Sequence, residues 1–281
     1  MRSGRRRPTG RGPVATTPWW ASPLPVAGIV VVVLVAVVLF IFLGRSQPPP
    51  PHSAATDTQV LATISSLDVQ GTEAVGAGGI KNPLQPVREV APLTGAAGRL
   101  EVLYIGAEFC PFCAAERWSL VVAFARFGTL SGVGLTTSSS SDVFPDTPTF
   151  TFLKAGYASD LLDFAAVEET DRDRNPLQTP TADQQHLFDQ LNPRRSIPFV
   201  DVGNRYVAVG SGFQPDVLAG KTWLQVATEL RDNPRGPTAG PILGNANWIT
   251  AGICQALANP PPASCAGPAI SVLRSQLGTS G

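Results

Sequence analysis

The chain has 281 residues with 21 Lys+Arg against 21 Asp+Glu, a formal charge of zero that argues against a generally basic nucleic-acid-binding surface. Gly and Pro at 27 each, 43% apolar residues and 15% charged residues exclude collagen, coiled coil and wholesale disorder. Four cysteines are too few for a disulfide-dense miniature scaffold and enough for two specific pairs.

The charge is unevenly spread. Residues 1–45 carry six arginines and no acid, which leaves 15 basic against 21 acidic residues beyond Arg45. Within that stretch, Val26 to Leu43 is uncharged and mainly apolar, and as a helix it would reach roughly 27 Å, enough to span a bilayer. Trp19 and Trp20 can sit at one interface, and Arg2, Arg5, Arg6, Arg7 and Arg11 favour a cytoplasmic N-terminus. The expected organisation is a cytoplasmic Arg-rich tail (1–23), a single-pass transmembrane anchor (24–44), a Pro-rich linker (45–56) and an extracytoplasmic domain (57–281) at the cell membrane. A cleaved signal is the alternative, although GRSQPPPP is not a small-residue cleavage site.

In chain order, a short helix is expected over Thr58 to Leu67, followed by turn glycines Gly76, Gly78 and Gly79 that lack phosphate-loop spacing. LEVLYI, Leu100 to Ile105, reads as a buried strand, and Ala114 to Phe127 as a helix stopped by Gly128. Val133 to Thr137 supplies a strand and Ser138 to Asp142 an exposed loop. Thr149 to Leu153 and Leu161 to Glu168 read as an antiparallel hairpin, and Thr181 to Leu191 as a helix. SIPFVDVGNRYVAVG, Ser196 to Gly210, reads as a hairpin about a Gly203-Asn204 turn, with helices over Pro215 to Leu230 and Ile270 to Leu277. This alternation predicts an α/β sandwich with a mixed sheet.

Between the first strand and its helix stand Cys110, Pro111, Phe112 and Cys113. The spacing places the second thiol about one helical turn after the first, close enough for a reversible disulfide. The helix mouth stabilises a Cys110 thiolate, which makes Cys110 the expected nucleophile and Cys113 the resolving thiol. Pro111 restrains the turn and Phe112 offers an apolar surface to substrate. Half of a metal site and an inert disulfide are competing readings of the same four residues; a four-sulfur site would need Cys254 and Cys265, whose spacing is not that of a zinc knuckle. Glu108 and Glu116 are expected to face solvent. His186 and His52 offer no Cys-His catalytic arrangement, and Tyr157, Phe164, Phe188 and Phe199 are core candidates that could instead line a cleft.

YIGAEFCPFCAAERW, TSSSSDVFPDTPTFTF and SIPFV together resemble a membrane-anchored thioredoxin-like family, the domain of unknown function numbered 929, over residues 60–277. CPFC and Ile197-Pro198 also resemble the broader thioredoxin superfamily. The resemblance implies a thioredoxin-like mixed-sheet sandwich with additional helices. It further implies a cis peptide before Pro198 and an Ile197 backbone beside Cys110 that holds an extended substrate. Phe109 stands where thioredoxin commonly has Trp, and Pro-Phe replaces Gly-Pro between the cysteines. These departures leave the reaction direction open. Phe109, Pro111, Phe112, Ile197 and Pro198 are the candidate substrate-binding residues. The resemblance also suggests that the loop Thr137 to Asp142 lies near substrate.

Cys254 and Cys265 flank a turn-rich loop, and joining them would contribute about 3 kcal/mol by the chain-entropy argument. A structural disulfide is expected there, with a second exchange pair as the alternative. The sequence thus predicts an extracytoplasmic thiol-disulfide oxidoreductase or isomerase acting on protein or peptide thiols and disulfides, with oxidation or isomerisation favoured by the compartment. A membrane quinone-linked thiol oxidase is the suggested electron partner; no nucleotide, flavin, metal or nucleic acid is implied. The contrasting reading is a membrane-tethered binding or assembly protein whose CPFC pair is structural.

Overall fold

The computed structural model describes residues 30, 32–37, 53–257 and 263–279. From residue 53 onward the helices are α1 (Ala54–Ser65), α2 (Val69–Glu73), α3 (Pro111–Phe124), α4 (Ala182–Leu191), α5 (Trp223–Asp232), α6 (Ala239–Ala256) and α7 (Pro268–Thr279). The strands are β1 (Gln85–Pro86), β2 (Leu100–Gly106), β3 (Thr129–Ser131), β4 (Gly134–Thr137), β5 (Pro148–Thr151), β6 (Gly156–Ala158), β7 (Leu162–Glu168), β8 (Phe199–Val202) and β9 (Tyr206–Val209).

The central sheet has the order β1-β9-β8-β2-β7. β2 runs parallel to β7 and antiparallel to β8, and β8 pairs antiparallel with β9. Because side chains alternate along a strand, the sheet feeds two cores. Val102 and Tyr104 of β2, with Val200 and Val202 of β8, join the larger core. Leu103, Ile105 and Phe199 point the other way and pack with Phe188 of α4. The larger core takes in α1, α3, α5, α6 and α7, so helices cover both faces. This mixed topology is consistent with a thioredoxin-like sandwich.

The β8–β9 hairpin turns through Gly203 and Asn204, whose φ angles of 65° and 54° are the left-handed pair a tight two-residue turn requires. The expected hairpin between Thr149–Leu153 and Leu161–Glu168 does not form. β5 pairs with β4, while β7 pairs with β2 and leaves β6 to pair with β3. An alternating strand pattern fixes which face is buried but not which partner is chosen.

Helix α6 was not expected from the sequence. Its 18 residues include Gly240, Gly244 and Gly252 and are buried on nearly every side, so no amphipathic stripe marks it. Its glycines admit a close neighbour: a side chain on Gly244 would strike the carbonyl of Ala77, and one on Gly78 would strike that of Gly240. The glycines of the 76–79 turn therefore serve packing against α6 as well as the turn itself.

The expected membrane anchor is overturned. Among the described residues no helix is long and apolar enough to cross a membrane. About 20 apolar residues are needed for that, whereas within 24–44 only residues 30 and 32–37 are described as helical. The rest of that segment, the linker residues 45–52 and His52 lie outside the described residues. The single-pass topology and the membrane and extracytoplasmic placement were inferred from the anchor and its arginine-rich flank and fall with it, and the membrane quinone-linked oxidase, inferred from the functional class, loses its membrane setting.

Candidate active site

The pairing of β2 with β8 builds the site. Ile105 is registered opposite Phe199, so the end of β2 meets the start of β8 and the two residues preceding it. Past Gly106 the chain turns through Ala107, Glu108 and Phe109 into Cys110, which is the N-cap of α3 with φ −79° and ψ 120°. Pro111 takes the first helical position, where its missing N–H costs no hydrogen bond.

The Cys113 backbone N–H donates to Cys110 Sγ at 3.3 Å, a capping bond made by sulfur. Cys110 keeps 6% of its surface exposed and Cys113 none. Opposite them the Ile197–Pro198 peptide is cis. The Ile197 carbonyl oxygen lies 4.0 Å from Cys110 Sγ. The structure thus brings Cys110, Cys113, Ile197 and Pro198 together, with Phe109 and Phe112 half-buried on either side of the first cysteine.

The two thiols are electrostatically unequal. The Cys113 side chain, hydrogen-bonding to Cys110, holds that thiol below its ordinary range against the opposing effect of burial. The Cys113 and Phe112 amides and the Arg117 guanidinium act in the same direction. Burial pushes the Cys113 thiol well up, and its bond to Cys110 adds to the rise.

Beneath the pair lies a buried ion pair. Arg117 donates through Nε at 2.9 Å and Nη2 at 2.5 Å to the two carboxylate oxygens of Glu168, at the end of β7. Both side chains are fully buried. Glu168 also accepts the Phe152 N–H at 3.1 Å, and the Arg117 guanidinium lies 5.6 Å above the Tyr104 ring centroid. Ordinary expectation puts charged residues outside. Here a partner 51 residues away reverses it, with no local signal in the sequence.

Neither glutamate near the motif faces solvent. Glu108 is buried at 8% exposure, where burial raises its carboxyl and a bond to Thr151 opposes the rise. Glu116 is 1% exposed and accepts from the Gly212 N–H at 3.2 Å and Asn245 Nδ2 at 2.8 Å. Helix α6, which supplies Asn245, covers the face of α3 that was expected to be wet.

One wall of the site comes from the loop at 138–147. Ser138 and Ser139 are buried rather than exposed, and the Ser139 N–H donates to the Phe109 carbonyl at 2.9 Å. The Phe144 ring meets Phe112 edge-on, with centroids 5.9 Å apart. Arg174 stacks 4.0 Å from the Phe109 ring centroid and pairs with Asp142 at 3.1 Å, while Arg172 pairs with Asp146 at 2.7 Å. Sequence reading missed both arginines, because a solvated charge run and a loop brace look alike until the partner is placed.

Other candidates lie elsewhere. Phe188 and Phe199 meet edge-on in the smaller core, and Tyr157 and Phe164 pack against Phe124 in the larger one. His186 is exposed on α4. Cys254 and Cys265 are bonded to each other with Cα atoms 5.6 Å apart, tying α6 to the short helical turn Ala263–Cys265. They are therefore not joint ligands with the CPFC thiols.

Residues 91–196 match the family described as Domain of unknown function (DUF929). The match takes in β2, CPFC and the 138–147 loop and ends at Ser196, one residue short of the cis peptide. It supports assignment of this region to that family, while the membrane-anchored character expected with it is not found in any described helix. No curated protein matches the chain. No solved structure matches it either.

A Cys-x-x-Cys pair at the junction of a strand and a helix makes this protein a thiol-disulfide oxidoreductase or isomerase.

Proposed function

We propose that Cys110 is the attacking sulfur, that Cys113 resolves the mixed disulfide, and that the substrate is a cysteine-bearing peptide or protein laid along Ile197. The observation that carries this reading is the asymmetry of the pair. Cys110 is the thiol with surface open, with an amide donor on its sulfur and a lowered pKa, whereas Cys113 is enclosed and its pKa is raised.

In the reducing direction the Cys110 thiolate attacks a substrate disulfide, forming a Cys110–substrate bond and expelling the other substrate sulfur as thiolate. Cys113, once deprotonated, attacks Cys110 Sγ, closes the CPFC disulfide and releases the second substrate thiolate. Oxidation runs the same steps backward. Isomerisation stops at the mixed disulfide and returns the substrate with a different pairing.

The sheet itself offers no open edge here, since β8 lies between β9 and β2. The substrate backbone instead meets Ile197 beyond the paired ladder, with Phe112 and Phe109 beside the scissile sulfur. A thiolate stabilised at Cys110 favours the dithiol form, which raises the reduction potential and supports oxidation or isomerisation.

Alkylation of the reduced protein across a pH series, with peptide mapping, tests the assignment. Cys110 is modified first, with an apparent pKa below the usual value of about 8.5. Modification of Cys113 first, or a Cys110 pKa at or above the usual value, would contradict it.

A further inference from the structure

Cys113 must become a thiolate to resolve the mixed disulfide, yet it is fully enclosed, and enclosure disfavours its charged form. While Cys110 is free, Cys113 donates to it. Once Cys110 is bonded to substrate it is no longer an anion, and the support must come from elsewhere.

The groups around Cys113 are few. From its own helix come Cys110 and Arg117, from β2 Tyr104, and from the connecting turn the backbone of Ala107, while Glu168 of β7 reaches this set through Arg117 and Tyr104. The Glu108 carboxyl, raised mainly by burial, bonds to Thr151 and feels the charges of Glu168, Arg117 and Asp171. Arg117 is the one cation in this set, and it lies about one helical turn past Cys113 on the same face of α3.

Two of the three Arg117 nitrogens are engaged by Glu168, and Nη1 is buried with no hydrogen-bond partner. The Tyr104 hydroxyl is likewise buried and without a partner. An unspent guanidinium donor in an enclosed pocket is costly unless something anionic visits it.

We propose that Arg117 is a positioning residue that acts through Cys113. Held in place by Glu168 and by the Tyr104 ring, it supports the resolving thiolate when Cys110 is tied up in the mixed disulfide. The inference rests on the assignment of Cys110 as nucleophile and Cys113 as resolving thiol.

The test uses dithiobis-nitrobenzoate, an aromatic disulfide whose released thiolate is coloured. The Cys110 thiolate attacks it, forms a Cys110–aryl disulfide and releases one aryl thiolate. The Cys113 thiolate then attacks Cys110 Sγ, closes the internal disulfide and releases a second. Two electrons pass from the dithiol to the reagent, and both cysteine protons go to solvent. The first colour phase reads Cys110 and the second reads Cys113.

Loss of a neighbouring opposite charge raises a thiol pKa by about one to three units. Each unit cuts the thiolate tenfold, and the higher intrinsic nucleophilicity restores a little under half of that on a logarithmic scale. About two units therefore predicts a second phase slowed roughly tenfold at neutral pH, with its pH midpoint moved upward. Arg117→Met alone strands Glu168 and can misfold, so Arg117→Met/Glu168→Gln is measured beside it. The double variant keeps an acceptor for the Phe152 N–H.

The double variant is expected to slow the second phase about tenfold and the first phase less than about threefold, and Arg117→Lys to restore most of the second. An unchanged second phase, equal slowing of both phases, or no rescue by Lys would overturn the role of Arg117. Absence of the first phase in the unsubstituted protein would instead strike the assignment of Cys110.

Discussion

The carbonyl oxygen of Ile197 lies 4.0 Å from Cys110 Sγ, across 87 residues of sequence. The contact exists because β2 and β8 are antiparallel neighbours, so the end of one strand delivers the cysteines where the other begins. Substrate recognition and sulfur chemistry therefore share one small surface.

That surface is aromatic on the far side of the thiol. Phe112→Ala removes the ring that meets Phe144 and should lower kcat/KM for a peptide disulfide by about two- to tenfold, the range expected for one aromatic contact. The first phase with the small aryl disulfide should stay within about twofold, because the Phe112 backbone amide remains. Steady-state kinetics with both substrates separates the two outcomes.

The disulfide between Cys254 and Cys265 lies in α6 and the turn after it, not in the redox site. Replacing both with Ser should lower stability by about 2 to 3 kcal/mol, the value for closing a loop of this size, as read from urea unfolding. The first-phase thiol rate of CPFC should be unaffected.

Glu116 carries a pH signature. Burial raises its carboxyl from 4.5 to about 7, against the opposing bonds from Gly212 and Asn245. The folded state therefore holds a proton that the unfolded chain loses first. Stability from this group is full below pH 4.5, falls as pH rises, and is gone above about 7. The loss is on the order of 3 kcal/mol at about 1.4 kcal/mol per pH unit. Asp201, raised from 3.8 to about 7 mainly by burial, contributes in the same direction. Glu116→Gln should remove the Glu116 share of the slope in urea unfolding between pH 5 and 8, and leave the Asp201 share.

What the sequence disclosed and what it hid follow from where each signal resides. CPFC, the strand before it and the helix after it are contiguous, so local chemistry sufficed to find them. The hairpin at Gly203-Asn204 was legible for the same reason. Arg117 and Glu116 were not, because their burial depends on Glu168 and Asn245, 51 and 129 residues away. Helix α6 was hidden by its own burial, which erases the alternation of apolar and polar faces. The apolar run near the N-terminus was read as a membrane span from its length and its arginine and tryptophan flanks, and no described helix bears that out.

The most direct test replaces each active-site cysteine separately and offers the folded variants a peptide disulfide. If Cys110 attacks and Cys113 resolves, Cys113→Ser accumulates a covalent, thiol-reversible complex through Cys110, visible by intact mass, and Cys110→Ser accumulates none. A complex formed by Cys110→Ser, or none formed by a folded Cys113→Ser, would contradict the account.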